Sequence, residues 1–258
     1  MSIVVINQVG EHTHGHGPGD APLLEVVAVH PRDVAGAHDG GADRLLVVDR
    51  TDDGGRSPEP ATVSSVCHET DLPVRALLRL GQGHTTTGAE LARMVGLAED
   101  YLATGAEGVA FGFLDADLNV DVEVCAHLAD ALDGVPWTFH RAFDASLETD
   151  LSWRRVRRLR GVDAVLSAGS PRGLVAGAGE LTDRAAADPE VARLLMAGGG
   201  LRGEHVPWLV RAGVRQFHVA SSVRPGGSWK AHVDAGHVRA WRMLLDDACD
   251  LALGRPTG

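Results

Sequence analysis

Five consecutive residues, His140-Arg141-Ala142-Phe143-Asp144, bring an imidazole, a guanidinium and a carboxylate together directly after a short apolar run. A histidine can act as a general acid or base near neutral pH, and an arginine can bind a phosphate or a carboxylate. The carboxylate of Asp144 can orient either of the other two groups. A salt-bridged loop cap would use the same residues, but the three groups together favour a functional site.

A second group of residues is suited to holding an anion. Three glycines, Gly198, Gly199 and Gly200, follow an apolar run and precede a predicted helix. Their amides can approach an anion closely, and the dipole of the helix favours negative charge there. Ser221 follows the last apolar run and adds a hydroxyl. The alternative is that the glycines only permit tight packing.

The elements that must position these groups follow from an alternation of short aliphatic runs with longer amphipathic stretches. We predict eight buried strands: Leu23–Val29, Asp43–Val48, Pro73–Leu78, Gly108–Phe113, Pro136–Phe139, Ala164–Ser167, Arg193–Met196 and Val214–Val219. We expect helices near 31–40, 59–70, 88–104, 119–133, 147–160, 172–187, 203–212 and 235–252. Short strands that are apolar on both faces are typical of a parallel sheet covered by helices.

Eight such units predict an α/β fold, a single (β/α)8 TIM barrel over residues 23–258. An open doubly wound sheet is the alternative, but the first turn lacks the G-x-G-x-x-G loop typical of that fold. In a barrel, the carboxyl ends of the strands carry the chemistry. The candidate catalytic residues are His140, Arg141, Asp144, Glu25, Arg79 and His218, and the candidate anion-binding residues are Gly198, Gly199, Gly200 and Ser221.

Glu25 stands apart from the other candidates because it lies within the first predicted strand, where alternation can point it into the barrel. A buried carboxylate needs a partner, and Arg44, Arg79 or His218 could supply one across the lumen. A purely structural ion pair is the alternative interpretation.

Residues 1–22 precede the first predicted strand and are rich in glycine and histidine. We expect a flexible N-terminal extension, since this composition cannot bury a core. Alternating His12, His14 and His16 could bind a divalent transition metal. The alternative is a histidine-containing leader without a physiological ligand.

Composition excludes several classes of function. The chain of 258 residues has a net charge of -11 and no basic stripe, which disfavours nucleic-acid binding. No apolar run is long enough to span a bilayer, and no cleavable leader is recognisable, so we expect a cytoplasmic protein. Three dispersed cysteines, Cys67, Cys125 and Cys249, argue against a disulfide framework.

The chain resembles the copper-homeostasis protein CutC family from Leu23 to the C-terminal helix. The segments that carry the resemblance are Thr138 to Asp144, Leu166 to Gly169, Met196 to Leu201, Phe217-His218, Gly41 to Arg44 and Gly112 to Asp115. The resemblance implies a barrel, a cytoplasmic location, a homodimer or larger homo-oligomer, and a role in copper homeostasis through copper ion binding.

The chain also departs from the family pattern. Where the first family strand often has cysteines, this chain has Val26-Val27-Ala28, and where the second usually has Glu-Leu-Cys, it has Leu46-Val47-Val48. The family's Arg-Pro-Arg-Gly-Gly segment is reduced to Arg79-Leu80-Gly81-Gln82-Gly83. The chain is therefore a divergent member by resemblance.

Copper as a cofactor thus comes from the resemblance only, and no metal ligands are assigned. Copper(I) prefers thiolates or thioethers, but the three cysteines fall in predicted helices outside the barrel. The residues themselves favour an enzyme acting on a small phosphorylated or otherwise anionic molecule, as an isomerase, lyase or hydrolase. No lysine follows a strand, which disfavours Schiff-base chemistry. A third possibility is an inactive oligomeric barrel that serves in binding or regulation.

Overall fold

The computed structural model describes residues 21–49 and 54–255. Eight parallel strands in this part of the chain form a closed barrel in sequence order, which confirms the predicted fold. The strands are β1 (Leu23–Ala28), β2 (Arg44–Val47), β3 (Val74–Leu77), β4 (Gly108–Phe111), β5 (Trp137–Phe139), β6 (Val162–Ser167), β7 (Leu195–Ala197) and β8 (Gln216–Val219). The predicted metal-binding histidines, His12, His14 and His16, lie outside the described residues.

Helices follow the strands around the outside of the barrel. They are α1 (Asp33–Gly40), α2 (Pro60–His68), α3 (Gly88–Ala103), α4 (Val122–Ala131), α5 (Thr149–Val156), α6 (Leu174–Ala187), α7 (Pro189–Leu194), α8 (Val206–Arg211) and α9 (Ala235–Ala252). Local signals fix several ends. Thr87 and Glu90 form a capping box at the start of α3, and Asp234 accepts a hydrogen bond from the His237 amide at the start of α9.

Most predicted boundaries differ from the observed ones by a few residues, and one of them places the end of a helix in a strand. The seventh strand was expected over Arg193–Met196, but Arg193 and Leu194 end α7, and β7 begins at Leu195. The physical reason is a strong start signal just upstream: the Asp188 side chain accepts from the Glu190 and Val191 amides, and Pro189 occupies the first helical position. This short helix was not predicted.

The core has two layers. Most buried apolar side chains pack between the strands and the helices, including Trp137, Phe111 and Leu128. The lumen of the barrel holds smaller groups, one with Leu166 and Met196 and another with Val27, Leu46, Val48, Leu77 and Ala110. The second of these groups faces the carboxyl ends of the strands, where it becomes part of the site.

None of the helices within the described ranges is long and apolar enough to cross a membrane.

Candidate functional site

A cavity of about 860 Å³ opens at the carboxyl ends of the strands. We call it the mouth. Eight of the predicted site residues line it: His140, Arg141, Asp144, Arg79, His218, Gly199, Gly200 and Ser221. Glu25 and Gly198 do not line it but touch the residues that do. The structure therefore brings the two predicted groups together in one space.

Arg141 and Asp144 lie in a one-turn 3-10 helix, Arg141–Ala145, that directly follows β5. The Asp144 side chain is only 2% exposed and accepts from Arg141 Nε at 2.7 Å. It also accepts from the Ser167 hydroxyl at 2.6 Å and from the Ala168 amide at 3.0 Å. Asp144 thus orients the arginine rather than His140. The Arg141 side chain remains 37% exposed.

The glycine loop has two distinct roles. Gly199 has a φ of +77°, and a Cβ there would lie 2.6 Å from Arg141 Cζ, so the guanidinium occupies space that only glycine leaves free. A Cβ on Gly198 would instead meet Leu166 Cδ1 at 2.6 Å, and its amide donates to the Ser167 carbonyl. Gly198 therefore permits packing behind the mouth, whereas Gly199 and Gly200 face it.

His140 caps the same 3-10 helix. Its Nδ1 accepts a hydrogen bond from the Ala142 amide at 3.1 Å. The ring is 7% exposed, and burial together with the nearby Arg79 guanidinium lowers the pKa of His140 to about 3. The imidazole is therefore neutral at physiological pH, and the proton that it carries is on Nε2.

Glu25 pairs with both of its neighbours across the barrel strands. The parallel register places it beside Arg44 on β2 and His218 on β8. Its carboxylate accepts from Arg44 Nε at 2.7 Å and contacts His218 Nδ1 at 2.7 Å. Burial raises the pKa of Glu25, but Arg44 and the His218 hydrogen bond outweigh it and lower that pKa to about 2. Of the three predicted partners, Arg44 and His218 are the ones observed.

Arg79 and Ser221 complete the predicted set on opposite sides of the mouth. Arg79 donates to the carbonyls of Gly55 at 3.0 Å and Gln82 at 2.7 Å, which holds two loops together. Ser221 opens a one-turn 3-10 helix after β8. The next residue past this turn, Arg224, is fully buried and donates from Nη2 to Asp33 at 2.8 Å, which fastens the loop to the start of α1.

Sequence reasoning missed part of the lining. His84, Arg202 and Trp229 also line the mouth. The centre of the Trp229 ring lies 4.9 Å from Arg224 Cζ. Sequence reasoning also missed an apolar wall, which consists of Val27, Leu46, Val48, Leu77, Ala220 and Trp229. Aliphatic residues in strands are read as core, so only their position at the strand ends could have pointed to the wall.

The donors within the described residues are not arranged to hold a copper ion. Among residues 21–49 and 54–255, no group of three or more His, Cys, Asp or Glu side chains is placed to bind a metal. Cys67, Cys125 and Cys249 lie on α2, α4 and α9, as predicted, and are free. Burial raises the pKa of Cys125 to about 12, so this thiol stays protonated and is a poor copper ligand.

Comparisons with known proteins identify relatives of the whole barrel. A family model described as the CutC family matches residues 23–223. A CutC family protein of Klebsiella pneumoniae (strain 342) is 30% identical over 213 residues, which covers 79% of this chain and 85% of that protein.

Solved structures add two further likenesses. One from Streptococcus agalactiae, named copper homeostasis protein CutC, superposes with a TM-score of 0.68 at 22% identity and covers 76% of this chain and 97% of that one. One from Pseudomonas aeruginosa, named dihydrodipicolinate synthetase, has a TM-score of 0.60 at 14% identity and covers 90% of this chain and 79% of that one. At these identities the two structures show the fold alone.

Proposed function

The chain belongs to the CutC family, and from this premise we propose that its barrel mouth is an enzyme site that binds a small organic anion with an apolar portion. The charged side chains of the mouth favour an anionic ligand. The described lining has three arginines, Arg79, Arg141 and Arg202, and the carboxylate of Asp144. Asp144 pairs with Arg141, and Glu204, which is not part of the lining, lies 3.7 Å from Arg202. These cationic side chains face the mouth in a protein whose net charge is -11.

The observation that carries the proposal is that the guanidinium of Arg141 is held in place by the protein while one of its nitrogens stays available for a ligand. Its Nε is bound to Asp144 and its Nη2 to the Ser170 carbonyl at 3.3 Å. Within the described part of the chain its Nη1 has no partner, and the side chain is exposed to the mouth. A guanidinium that is already held in place loses little freedom on binding a carboxylate or phosphate.

The apolar wall indicates that the ligand also has an apolar portion. Val27, Val48 and Leu77 line the mouth together with Trp229, which packs against them. Polar groups on one side and apolar groups on the other are typical of small-molecule sites. The ligand that fits carries its anionic group at Arg141 and an aliphatic or aromatic body against this wall.

Calorimetric titration tests the proposal with two probes, inorganic phosphate and α-ketoisocaproate, a carboxylate with a branched aliphatic body. We expect saturable binding of α-ketoisocaproate, and a loss of about 10–100-fold in affinity in Arg141→Gln, because a charge-assisted hydrogen bond contributes about 1.5–3 kcal/mol. The matched control is Arg172→Gln, an exposed arginine at the same end of the barrel that does not line the mouth.

Equal losses in both arginine variants would show that only general charge matters and would contradict the site. Phosphate binding without α-ketoisocaproate binding would keep the anion site but reject the apolar portion. Circular dichroism of each variant establishes that it is folded, and Arg141→Lys provides a second variant that keeps the charge.

A role in copper homeostasis is the second candidate, carried by the names of the relatives. Since the described donors are not arranged to hold the metal, the remaining candidates are His12, His14 and His16. Titration of the full chain with Cu(I) and Cu(II), beside a variant with all three histidines replaced by alanine, tests this. Binding that disappears in the variant assigns copper to these histidines, and binding that survives contradicts that assignment.

We also propose a cytoplasmic location and a homo-oligomer of two or more subunits, as the family resemblance implies. Light scattering of the purified protein measures the subunit count directly.

A further inference from the structure

Two histidines of the mouth, His140 and His218, differ in which ring nitrogen carries the proton. Each ring uses its Nδ1 for a bond inside the protein and leaves Nε2 without a hydrogen-bond partner among residues 21–49 and 54–255. Both rings line the same cavity. The partner of each Nδ1 decides what its Nε2 can do.

His218 presents a proton acceptor. Glu25 is fully buried beside Arg44 and is ionised, because the arginine and the imidazole lower the pKa of its carboxyl group to about 2. An ionised carboxylate can only accept, so the proton between the two residues belongs to His218 Nδ1. In the neutral ring, Nε2 then carries a lone pair. The Glu25 carboxylate also stabilises the imidazolium that forms when Nε2 takes up a proton.

His140 presents a proton donor that does not readily ionise. The Ala142 amide donates to its Nδ1, so Nδ1 carries the lone pair and Nε2 carries the hydrogen. Arg79 and His84 are the charged or titratable groups that act on this ring, and both oppose a positive charge on it. A neutral imidazole of this kind is suited to donate a hydrogen bond to an oxygen on which negative charge develops.

The two rings come from strands that lie three positions apart around the barrel. His140 directly follows β5, and His218 lies within β8, with Leu166 of β6 and the glycine loop after β7 between them. Arg141 is the residue next to His140 and marks the anionic end of the ligand. A ligand fixed at Arg141 therefore shares its cavity with a hydrogen-bond donor and a proton acceptor.

We infer that the mouth catalyses proton transfer at the carbon next to the carbonyl of a small oxo acid or oxo phosphate, with His218 Nε2 as the base and His140 Nε2–H as the donor to the carbonyl oxygen. This inference rests on the anion binding proposed above. The C–H bond breaks as the N–H bond forms on His218. The electron pair of the broken C–H bond becomes the C=C bond of the enolate. The π electron pair of the carbonyl moves to its oxygen, which accepts the hydrogen bond from His140.

The step needs no oxidant, reductant or further reactant. When the proton on His218 exchanges with water before a proton returns to the same carbon, the result is exchange with solvent. Delivery of the proton to the former carbonyl carbon of a hydroxyketone, with transfer of the hydroxyl proton to the enolate oxygen, gives an isomer. The carbanion alternative through a Schiff base is disfavoured, because no lysine lines the described part of the mouth.

The first test needs no ligand. Long-range proton–nitrogen correlation spectra of the isotope-labelled full chain distinguish the two neutral tautomers of each histidine, and the signals are assigned with His140→Asn and His218→Asn. We expect the Nδ1–H tautomer for His218 and the Nε2–H tautomer for His140. The same tautomer for both rings, or a charged His140 at neutral pH, would overturn the inference.

The second test follows deuterium uptake from heavy water at the carbon next to the carbonyl of α-ketoisocaproate and of dihydroxyacetone phosphate. His218→Asn keeps an amide group near Nδ1 for Glu25 but removes Nε2, and we expect a loss of about 100-fold or more in exchange rate. His140→Asn keeps an acceptor for the Ala142 amide and removes the donor, with a loss of about 100-fold.

His140→Gln returns an N–H near the position of Nε2 and should recover part of the rate, which a merely structural role of His140 would not predict. His127→Gln, on the exposed side of α4, is the matched control and should leave exchange unchanged. Exchange with the carboxylate alone or the phosphate alone tells which anionic group the site takes.

The outcomes separate the two proposals. Binding of a probe without exchange overturns the proton transfer but leaves the anion site intact. No binding of either probe overturns both. Exchange that persists in His218→Asn overturns the assignment of the base, provided that the variant keeps the wild-type circular dichroism spectrum.

Discussion

Two arginines at opposite ends of this barrel differ in how completely the protein uses their hydrogen-bond donors. Arg75 on β3 is 1% exposed and donates to Asp163 from both terminal nitrogens, to Thr138 at 2.6 Å and to Glu107 at 3.3 Å. Arg141 at the mouth uses Nε and Nη2 for the protein and keeps Nη1 open within the described structure.

An ion pair by itself therefore does not identify a binding site. Arg75 and Arg141 both have a carboxylate partner, but every nitrogen of Arg75 is satisfied, so it has nothing to offer a ligand. Arg141 is held by a carboxylate that is itself saturated, and it retains donors in an open cavity. Residual bonding capacity, together with a rigid position, is the feature that distinguishes the mouth.

The largest expected effect comes from making the same change at both arginines. Arg75→Lys loses the paired bonds to Asp163 and the bond to Thr138 in a buried position, so we expect about 2–3 kcal/mol of destabilisation. Arg141→Lys should cost less than about 1 kcal/mol, because its site is open to solvent. Urea unfolding measures both, and equal costs would contradict the comparison.

The free energy of unfolding, measured over a series of pH values, tests whether His140 is neutral in the folded protein. Its pKa is about 3 in the folded protein and near the ordinary 6.5 in the unfolded chain, so the unfolded state binds the extra proton. Stability is therefore fully present above pH 6.5 and falls as the pH is lowered toward 3. We expect a loss of about 2 kcal/mol between pH 6.5 and pH 5, since each pKa unit corresponds to about 1.4 kcal/mol.

His140→Asn should remove this part of the pH dependence while leaving the contribution of His84 and His205, whose pKa values burial also lowers. The pairing of Glu25 adds little to the slope between pH 6.5 and pH 5, because its pKa is about 2 in the folded protein and near the ordinary 4.5 in the unfolded chain, so its own loss of stability comes mainly below pH 5. An unchanged slope in the variant would show that His140 is readily protonated in the folded protein.

The sequence predicted the barrel and the end of the barrel at which the candidate site residues gather, because both follow from local patterns. Aliphatic runs alternate with amphipathic stretches, and polar groups such as His140 follow the runs. Which of Arg44, Arg79 and His218 pair with Glu25 could not be predicted from the sequence, because the pairing depends on the register between β1, β2 and β8. The sequence-based prediction also misplaced the start of β7, where the cap at Asp188 extends a helix into an apolar segment.

A smaller effect is expected from two glycines with positive φ. Gly199→Ala places a Cβ 2.6 Å from Arg141 Cζ, whereas Gly226→Ala at φ +62° meets nothing within 4 Å. Both variants bear the backbone strain of about 1 kcal/mol, but Gly199→Ala should also weaken α-ketoisocaproate binding about 10-fold, because it displaces the guanidinium. Titration of both variants checks this, and equal affinities would contradict the contact.

The smallest effect concerns the apolar wall. Val48→Thr keeps the shape of the side chain and adds a hydroxyl, so we expect about a 3-fold loss of affinity for α-ketoisocaproate. Inorganic phosphate, which has no apolar portion, should bind with unchanged affinity. A parallel loss for phosphate would mean that the substitution disturbs the whole mouth.

A crystal structure of the full chain with α-ketoisocaproate bound tests most directly whether Arg141 holds the anionic group of the ligand. We expect the carboxylate to lie within hydrogen-bonding distance of Arg141 Nη1 and the branched end to contact Val48, Leu77 and Trp229. A carboxylate bound away from Arg141, or density only outside the mouth, would contradict the proposal.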